Sequence, residues 1–317
     1  MKKYSRNKSI IFFWLQLLII LAVVAVLAIE AFFYLYLNGV TKPGKKPVSI
    51  TPNSLLLESI NIEIMTKDNV KLSGWLLPNK KSNKVILMLH GYYSNKADLL
   101  SLGSRLIALG YNLVLIDLRG CGDSDGDRTY MGVKEKDDIE AVLTYILNDN
   151  RLKAGNIAIW ADNVSAYASI LAIEKFPEVK LLMLNNIYPN ALFYFNKKMS
   201  LPFSVPKEIA DFFIYQNVKY LLDFKPDEND LHQILPAMQS KILIFFQTKA
   251  PGYDYVKDLY EISPERKELI QLPRVGTEAL QPGSDWEMYF NIIKEKLSLY
   301  FPISTEESAV VTLGKQQ

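Results

Sequence analysis

From Ile10 to Ile29 the chain carries no charge and only Gln16 as a strongly polar group. At about 1.5 Å per helical residue this run matches the hydrocarbon thickness of a bilayer, which predicts a membrane-spanning helix. Ala31 to Val40, rich in Phe and Tyr behind the single acid Glu30, is expected at the far interface, so that 10–40 holds the span and its interfacial segment. The basic segment 1–9 supplies Lys2, Lys3, Arg6 and Lys8 before the span, against Lys42, Lys45 and Lys46 after it. The positive-inside bias therefore favours, by one charge, a cytoplasmic N-terminus and a single-pass protein with its domain outside the cytoplasm. Cleavage at Val26-Leu27-Ala28 is the rival, but the run exceeds a usual signal core and apolar residues continue past it. An uncleaved signal anchor is the expectation.

Pro43, Pro47 and Pro52 interrupt 41–55, which reads as a linker off the membrane. A domain over 56–301 follows. Ile62-Glu63-Ile64 and Leu72 to Leu76 flank Lys67-Asp68-Asn69, the signal of a hairpin. Thereafter continuous apolar strands (Val85 to Leu89, Leu113 to Ile116, Ile157 to Trp160, Leu181 to Leu184, Ile242 to Phe246, Leu269 to Gln271) alternate with amphipathic helices. One such helix, Asp98 to Leu109, lines up Leu99, Leu102, Leu106 and Leu109 and stops at Gly110; the last opens at Ser284 and runs to about Phe301. Buried strands separated by helices imply an α/β fold, a mostly parallel sheet with helices on both faces. Over about 186–237 the alternation lapses into aromatic, Pro-containing sequence around Phe193, Tyr194, Phe203, Phe212, Phe213 and Tyr220, where a small lid insertion is expected. The final residues, 302–317, read as a loose tail.

Composition changes this picture little: 317 residues, 49% hydrophobic, 22% charged and net +2 describe an ordinary globular chain with an anchor. Near-neutral charge without a basic stripe excludes a nucleic-acid partner. One cysteine, Cys121, permits no internal disulfide, and with only His90 and His232 it gives no zinc pattern; no phosphate-binding Gly-Lys-Ser/Thr loop is present. No metal or cofactor is expected.

Three motifs stand in order: Asp68-Asn69-Val70-Lys71-Leu72 before the first core strand, Leu89-His90-Gly91-Tyr92 after it, and Asp117-Leu118-Arg119-Gly120-Cys121-Gly122-Asp123-Ser124-Asp125-Gly126 after the next. Together they resemble the α/β-hydrolase family, nearest its membrane-anchored, peptidase- or lysophospholipase-like serine hydrolases, over about Leu56 to Phe301. The resemblance implies that His90-Gly91 makes a sharp turn, so that backbone N–H groups near Tyr92 and at Val164 face an oxyanion. The imidazole of His90 is expected to shape that turn, and Asp117 and Arg119 to brace the glycine loop.

The family's nucleophile elbow reads Gly-x-Ser-x-Gly, and the strand Ile157 to Trp160 leads here into Ala161-Asp162-Asn163-Val164-Ser165. The flanks are small, but Asn163 fills the nucleophile's place, and a carboxamide has no proton whose loss would make it nucleophilic. The acid's place after Ile242 to Phe246 falls on Ala250, and the histidine's place before the last helix falls on Thr277. With all three members replaced, the resemblance implies a retained fold without acyl transfer: a membrane-tethered binding or scaffold protein whose pocket takes a small apolar ligand or a protein partner. The alternative is an active ester, amide or lipid hydrolase using Ser165 or Asp162 as a relocated nucleophile, with Asp254 or Glu278 in displaced supporting roles.

Overall fold

The computed structural model describes residues 2–79, 82–152, 154–198, 206–238 and 241–303; Phe203 of the expected lid and the tail beyond Ile303 lie outside them. The chain divides into two compact units, 1–40 with 195–226 and 41–194 with 227–317. Its helices are α1 (Lys2–Thr41), α2 (Leu100–Leu109), α3 (Glu135–Asn148), α4 (Val164–Ala172), α5 (Ala191–Lys198), α6 (Lys207–Leu222), α7 (Leu231–Ile234), α8 (Tyr255–Ile262) and α9 (Ser284–Tyr300).

In the first unit the apolar run is a helix long and apolar enough to cross a membrane, with its apolar window entirely unburied. Past that window Phe33 stacks on Phe213 of α6 at 5.1 Å, and the Asn217 amide donates to the Glu30 carboxylate at 2.9 Å. The lid expected within the hydrolase domain is thus divided, because α6 uses its buried stripe (Ala210, Ile214, Asn217, Val218, Leu222) and shares a compact unit with α1.

The second unit holds the sheet: β1 (Ile60–Met65), β2 (Lys71–Leu77), β3 (Lys84–Leu89), β4 (Asn112–Ile116), β5 (Asn156–Asp162), β6 (Val179–Asn185), β7 (Ile242–Thr248) and β8 (Lys267–Leu272), in the order β1-β2-β4-β3-β5-β6-β7-β8. The β1–β2 hairpin turns through Asn69 at φ 61, a left-handed position that Asn tolerates well. Strand β2 pairs antiparallel with β4, and every later pairing is parallel. Alternate residues of the central strands leave opposite faces: Met88, Leu115, Trp160, Met183 and Phe246 share one core with α2 and α9. On the other face Phe245 meets Tyr260 of α8 at 6.1 Å. Burial on both faces explains why these strands read as continuous apolar runs rather than alternating ones.

The expected linker, 41–55, is docked on this unit. The Thr129 amide donates to Thr41 O at 2.9 Å, Lys42 pairs with Asp127, and Lys45 reaches Ser124 O. Lys46 grips both oxygens of Asp98 at 2.7 and 2.8 Å, and Asn95 Nδ2 donates to Lys46 O and Pro47 O. Pro52, expected to interrupt the segment, instead opens a short 3₁₀ turn over Pro52–Leu55, since a proline's missing N–H costs nothing at the first helical position, and before it backbone carbonyls and lysines find partners distant in sequence.

Candidate functional site

Strand β5 enters α4 through Asn163, whose φ of 54 and ψ of −105 mark a strained left-handed corner. Such a corner costs on the order of 1–3 kcal/mol and persists only where its surroundings over-determine it. The Asn163 N–H donates to Asn185 O at 2.8 Å, and Asn163 O accepts from the Tyr167 N–H at 3.2 Å. A buried chain supports the corner: Asn185 Nδ2 donates to Ala161 O at 2.8 Å, the Tyr289 hydroxyl donates to Asn185 Oδ1, and Trp160 Nε1 donates to the Tyr289 hydroxyl at 3.1 Å. Ala161 and Ser165, both fully buried, are the small flanks this turn requires. Asn163 Oδ1 is buried and meets no hydrogen-bond donor among the described residues.

Thr277 arrives beside this corner. Its backbone N–H and hydroxyl donate to Asp162 Oδ2 at 3.0 and 2.8 Å. Asp162 is buried, and the backbones of Gly91 and Gly276 press so closely on its carboxyl that a Cβ would lie 2.8 Å from it at Gly91 and 2.2 Å at Gly276. Burial pushes the Asp162 carboxyl up to about 6, against the lowering effect of the Thr277 hydrogen bonds and with Glu278 adding to the rise. Thr277 is therefore engaged with the residue preceding Asn163.

The fallback residues have other duties. The Ser165 hydroxyl lies 3.0 Å from Leu89 O and 3.1 Å from Asp162 O, and accepts from the Asp162 N–H at 3.0 Å. It is tied to the backbone beneath the turn, since a helix residue two positions past the corner points back into the sheet. Asp162 faces Thr277 from within the clamp. Asp254 is exposed at the start of α8, its carbonyl accepting from the Lys257 N–H at 2.9 Å. Glu278 is exposed on the short turn Gly276–Glu278. Ala250, also exposed, follows β7 in a tight turn in which its N–H donates to Thr248 O at 2.9 Å.

Neither histidine stands free for catalysis. His90 Nε2 accepts from the Leu118 N–H at 3.1 Å, which makes Nδ1 the protonated nitrogen, donating to Gly91 O at 2.9 Å. Burial lowers its proton affinity, so the imidazole is a neutral strut between two loops. His232 lies on α7 with its ring on Asp230 at 2.6 Å. Asp117 accepts from the Lys96 and Asp123 N–H groups at 2.7 and 2.9 Å and pairs with the buried Lys96 ammonium, while Arg119 bridges Asp68 and Asp138. These residues brace the glycine loop.

His90, Gly91, Tyr92 and Val164 border a single small space of about 10 Å³, no more than one water molecule occupies. Tyrosines pack nearby: Tyr92 against Tyr194 at 6.2 Å and Tyr194 against Tyr188 at 4.5 Å, both tilted, and Tyr188 stacked on Tyr167 at 5.0 Å. Tyr188 anchors its hydroxyl on Met131 O at 2.8 Å. Beside them a more polar cleft of about 300 Å³ opens between Tyr92, Tyr93, Asp98, Thr277 and Lys46 of the docked segment. Among the described residues no three His, Cys, Asp or Glu side chains gather as a metal site. Sequence reasoning missed Gly276 and Tyr188. Gly276 carries a signal, a glycine at φ 67 directly before Thr277, whereas Tyr188 becomes visible only when the strands are paired.

Residues 69–183 match the family model described as X-Pro dipeptidyl-peptidase (S15 family). The uncharacterized protein YfhR of Salmonella typhimurium is 29% identical over 149 residues, 44% of this chain and 46% of its own length. Protein bem46 of Schizosaccharomyces pombe is 25% identical over 167 residues, 50% and 55% respectively, so the chain spans about half the length of the curated relatives it matches. Among solved structures, the Pyrococcus furiosus esterase Pf2001 superposes with a TM-score of 0.64 at 23% identity, covering 82% of this chain and 98% of that one. The α/β hydrolase GrgF from Penicillium superposes at 0.59 with 18% identity, covering 77% and 99%. The chain has the α/β-hydrolase fold.

Proposed function

We propose that this α/β-hydrolase-fold chain is a membrane-anchored binding protein that performs no acyl transfer. The observation that carries the reading is the pairing of Asn163 at the corner with Thr277 at the histidine's place, the latter bound to Asp162. Acyl transfer needs a nucleophile within hydrogen-bond reach of a base, and a carboxamide beside a threonine supplies neither. Ser165 donates into backbone carbonyls, which argues against a relocated nucleophile.

The length of α1 and its unburied window support anchoring, and the charge bias favours a cytoplasmic N-terminus. The tyrosines packed near the corner disfavour a small apolar ligand there. The polar cleft between Tyr92, Asp98 and Thr277 suits a segment of a partner protein instead.

The test is to expose the full-length protein in detergent to a fluorophosphonate probe and a panel of nitrophenyl esters, alongside Asn163→Ser and Ser165→Ala. No labelling and background turnover in all three chains is expected, since Asn163→Ser restores a hydroxyl without a base. Wild-type turnover that Ser165→Ala abolishes, with folding intact, overturns the reading.

A further inference from the structure

Helix α6 is fixed at a particular height on α1. Phe33 and Tyr34 are consecutive residues on α1, so they stand about 1.5 Å apart along its axis. Yet their rings pair with Phe213 at 5.1 Å and Tyr220 at 6.4 Å, residues two turns or about 10 Å apart on α6. One turn earlier on α1, Glu30 takes the amide of Asn217, midway between those two. Helix α6 therefore crosses α1 steeply, and if α1 spans a bilayer along its normal, α6 runs close to the membrane plane.

The height follows from the same contacts. Ile10 to Ile29 fills the hydrocarbon core, and Phe33 lies four residues beyond it, about 6 Å, which is within the headgroup layer. The stripe of α6 opposite its buried face is Ile209, Phe212, Gln216 and Tyr220, with Phe212 58% and Tyr220 81% exposed. A bare aromatic stripe costs free energy in water, whereas rings of this kind are favoured at the membrane–water boundary. Lys207 is paired with Asp211, and exposed Glu208 offsets Lys219 along the helix, so its charge is balanced and demands no anionic lipid.

We propose that α6 is a second membrane-contacting element, an interfacial helix whose Ile209–Phe212–Tyr220 stripe is set in the headgroup layer. This rests on the anchoring reading above and adds to it that a second helix touches lipid.

The test uses the full-length chain, with Cys121→Ala, reconstituted in phosphatidylcholine vesicles. Spin labels are placed singly at Phe212→Cys, Gln216→Cys and Tyr220→Cys, with Val24→Cys and Leu299→Cys as references for hydrocarbon and water. The expected result is loss of most of the accessibility to a water-soluble nickel chelate at 212, 216 and 220 relative to 299, with oxygen accessibility between those at 299 and 24. Labels at 212, 216 and 220 as open to the nickel chelate as 299 overturn the proposal while leaving anchoring intact. Labels shielded from both probes overturn it too, because protein then covers the stripe. A water-like reading at Val24 removes anchoring and the proposal together.

Discussion

Two neighbouring regions keep the family pattern to different degrees. The loop from Asp117 to Gly126 has each motif residue in place and engaged: Asp117 holds Lys96, Arg119 bridges Asp68 and Asp138, and the Ser124 hydroxyl donates to Asp117 O at 2.6 Å. At the corner the backbone makes the sharp turn, while Asn163, Ala250 and Thr277 fill the places where the resemblance leads one to expect a triad. The difference teaches that the strained turn depends on support from Asn185, Tyr289 and Trp160 rather than on the identity of the residue it presents.

The largest effect is expected where that bracing is broken. Lys96 and Asp117 are both buried, so Asp117→Ala strips the interior ammonium of its buried partner, leaving it only the exposed Asp123 and the Ser73 hydroxyl, and orphans the Lys96 and Asp123 N–H groups; it is expected to cost about 3–5 kcal/mol, read as a lower urea midpoint. A conservative loss in the braced loop would instead mean that it matters no more to stability than the corner does.

The comparison sharpens at Asp162. Its carboxyl has a folded value of about 6 against 3.8 when unperturbed, so between those values the folded state keeps a proton that the unfolded state has lost. Stability therefore falls as pH rises from about 4 to about 6 and stays reduced above that. Asp162→Asn removes this charge while keeping an acceptor for Thr277, so at pH 7.5 the variant is expected to be more stable by at most about 3 kcal/mol. Unfolding curves at pH 4 and 7.5 check it, since the gain must vanish at the lower pH.

Gly276→Ala places a Cβ 2.2 Å from Asp162 Oδ1 at a residue with φ 67, and is expected to destabilise by about 1–3 kcal/mol. Combining it with Asp162→Gly should recover part of that loss in thermal unfolding, which a clash elsewhere would not. The smallest effect is expected at the corner itself: Asn163→Ser is expected to shift stability by no more than about 0.5 kcal/mol, because the supporting groups bond the corner's backbone and not the Asn163 side chain. A large loss on that substitution would make the carboxamide itself the brace.

The alternation of apolar strands and amphipathic helices, the hairpin at Asn69 and the glycine stop of α2 are local patterns, and each appears where the sequence reading expects it. The docking of 41–55 is different in kind, since Lys42, Lys45 and Lys46 look alike in a proline-rich segment until the loops bearing Asp127, Ser124 and Asp98 are placed beside them. The division of the lid was hidden for the same reason, because α6 finds its partner in a helix far upstream.

The sequence by itself determined the apolar span and the α/β-hydrolase fold, because periodicity and motif spacing depend on residues close together in the chain. Only the tertiary structure decided that Thr277 closes on Asp162 from 115 residues away, that Ser165 turns into the backbone, and that tyrosines from separate elements pack together near the corner. Those contacts are hydrogen bonds and ring packings between distant segments, and their partners are set by which strands lie side by side.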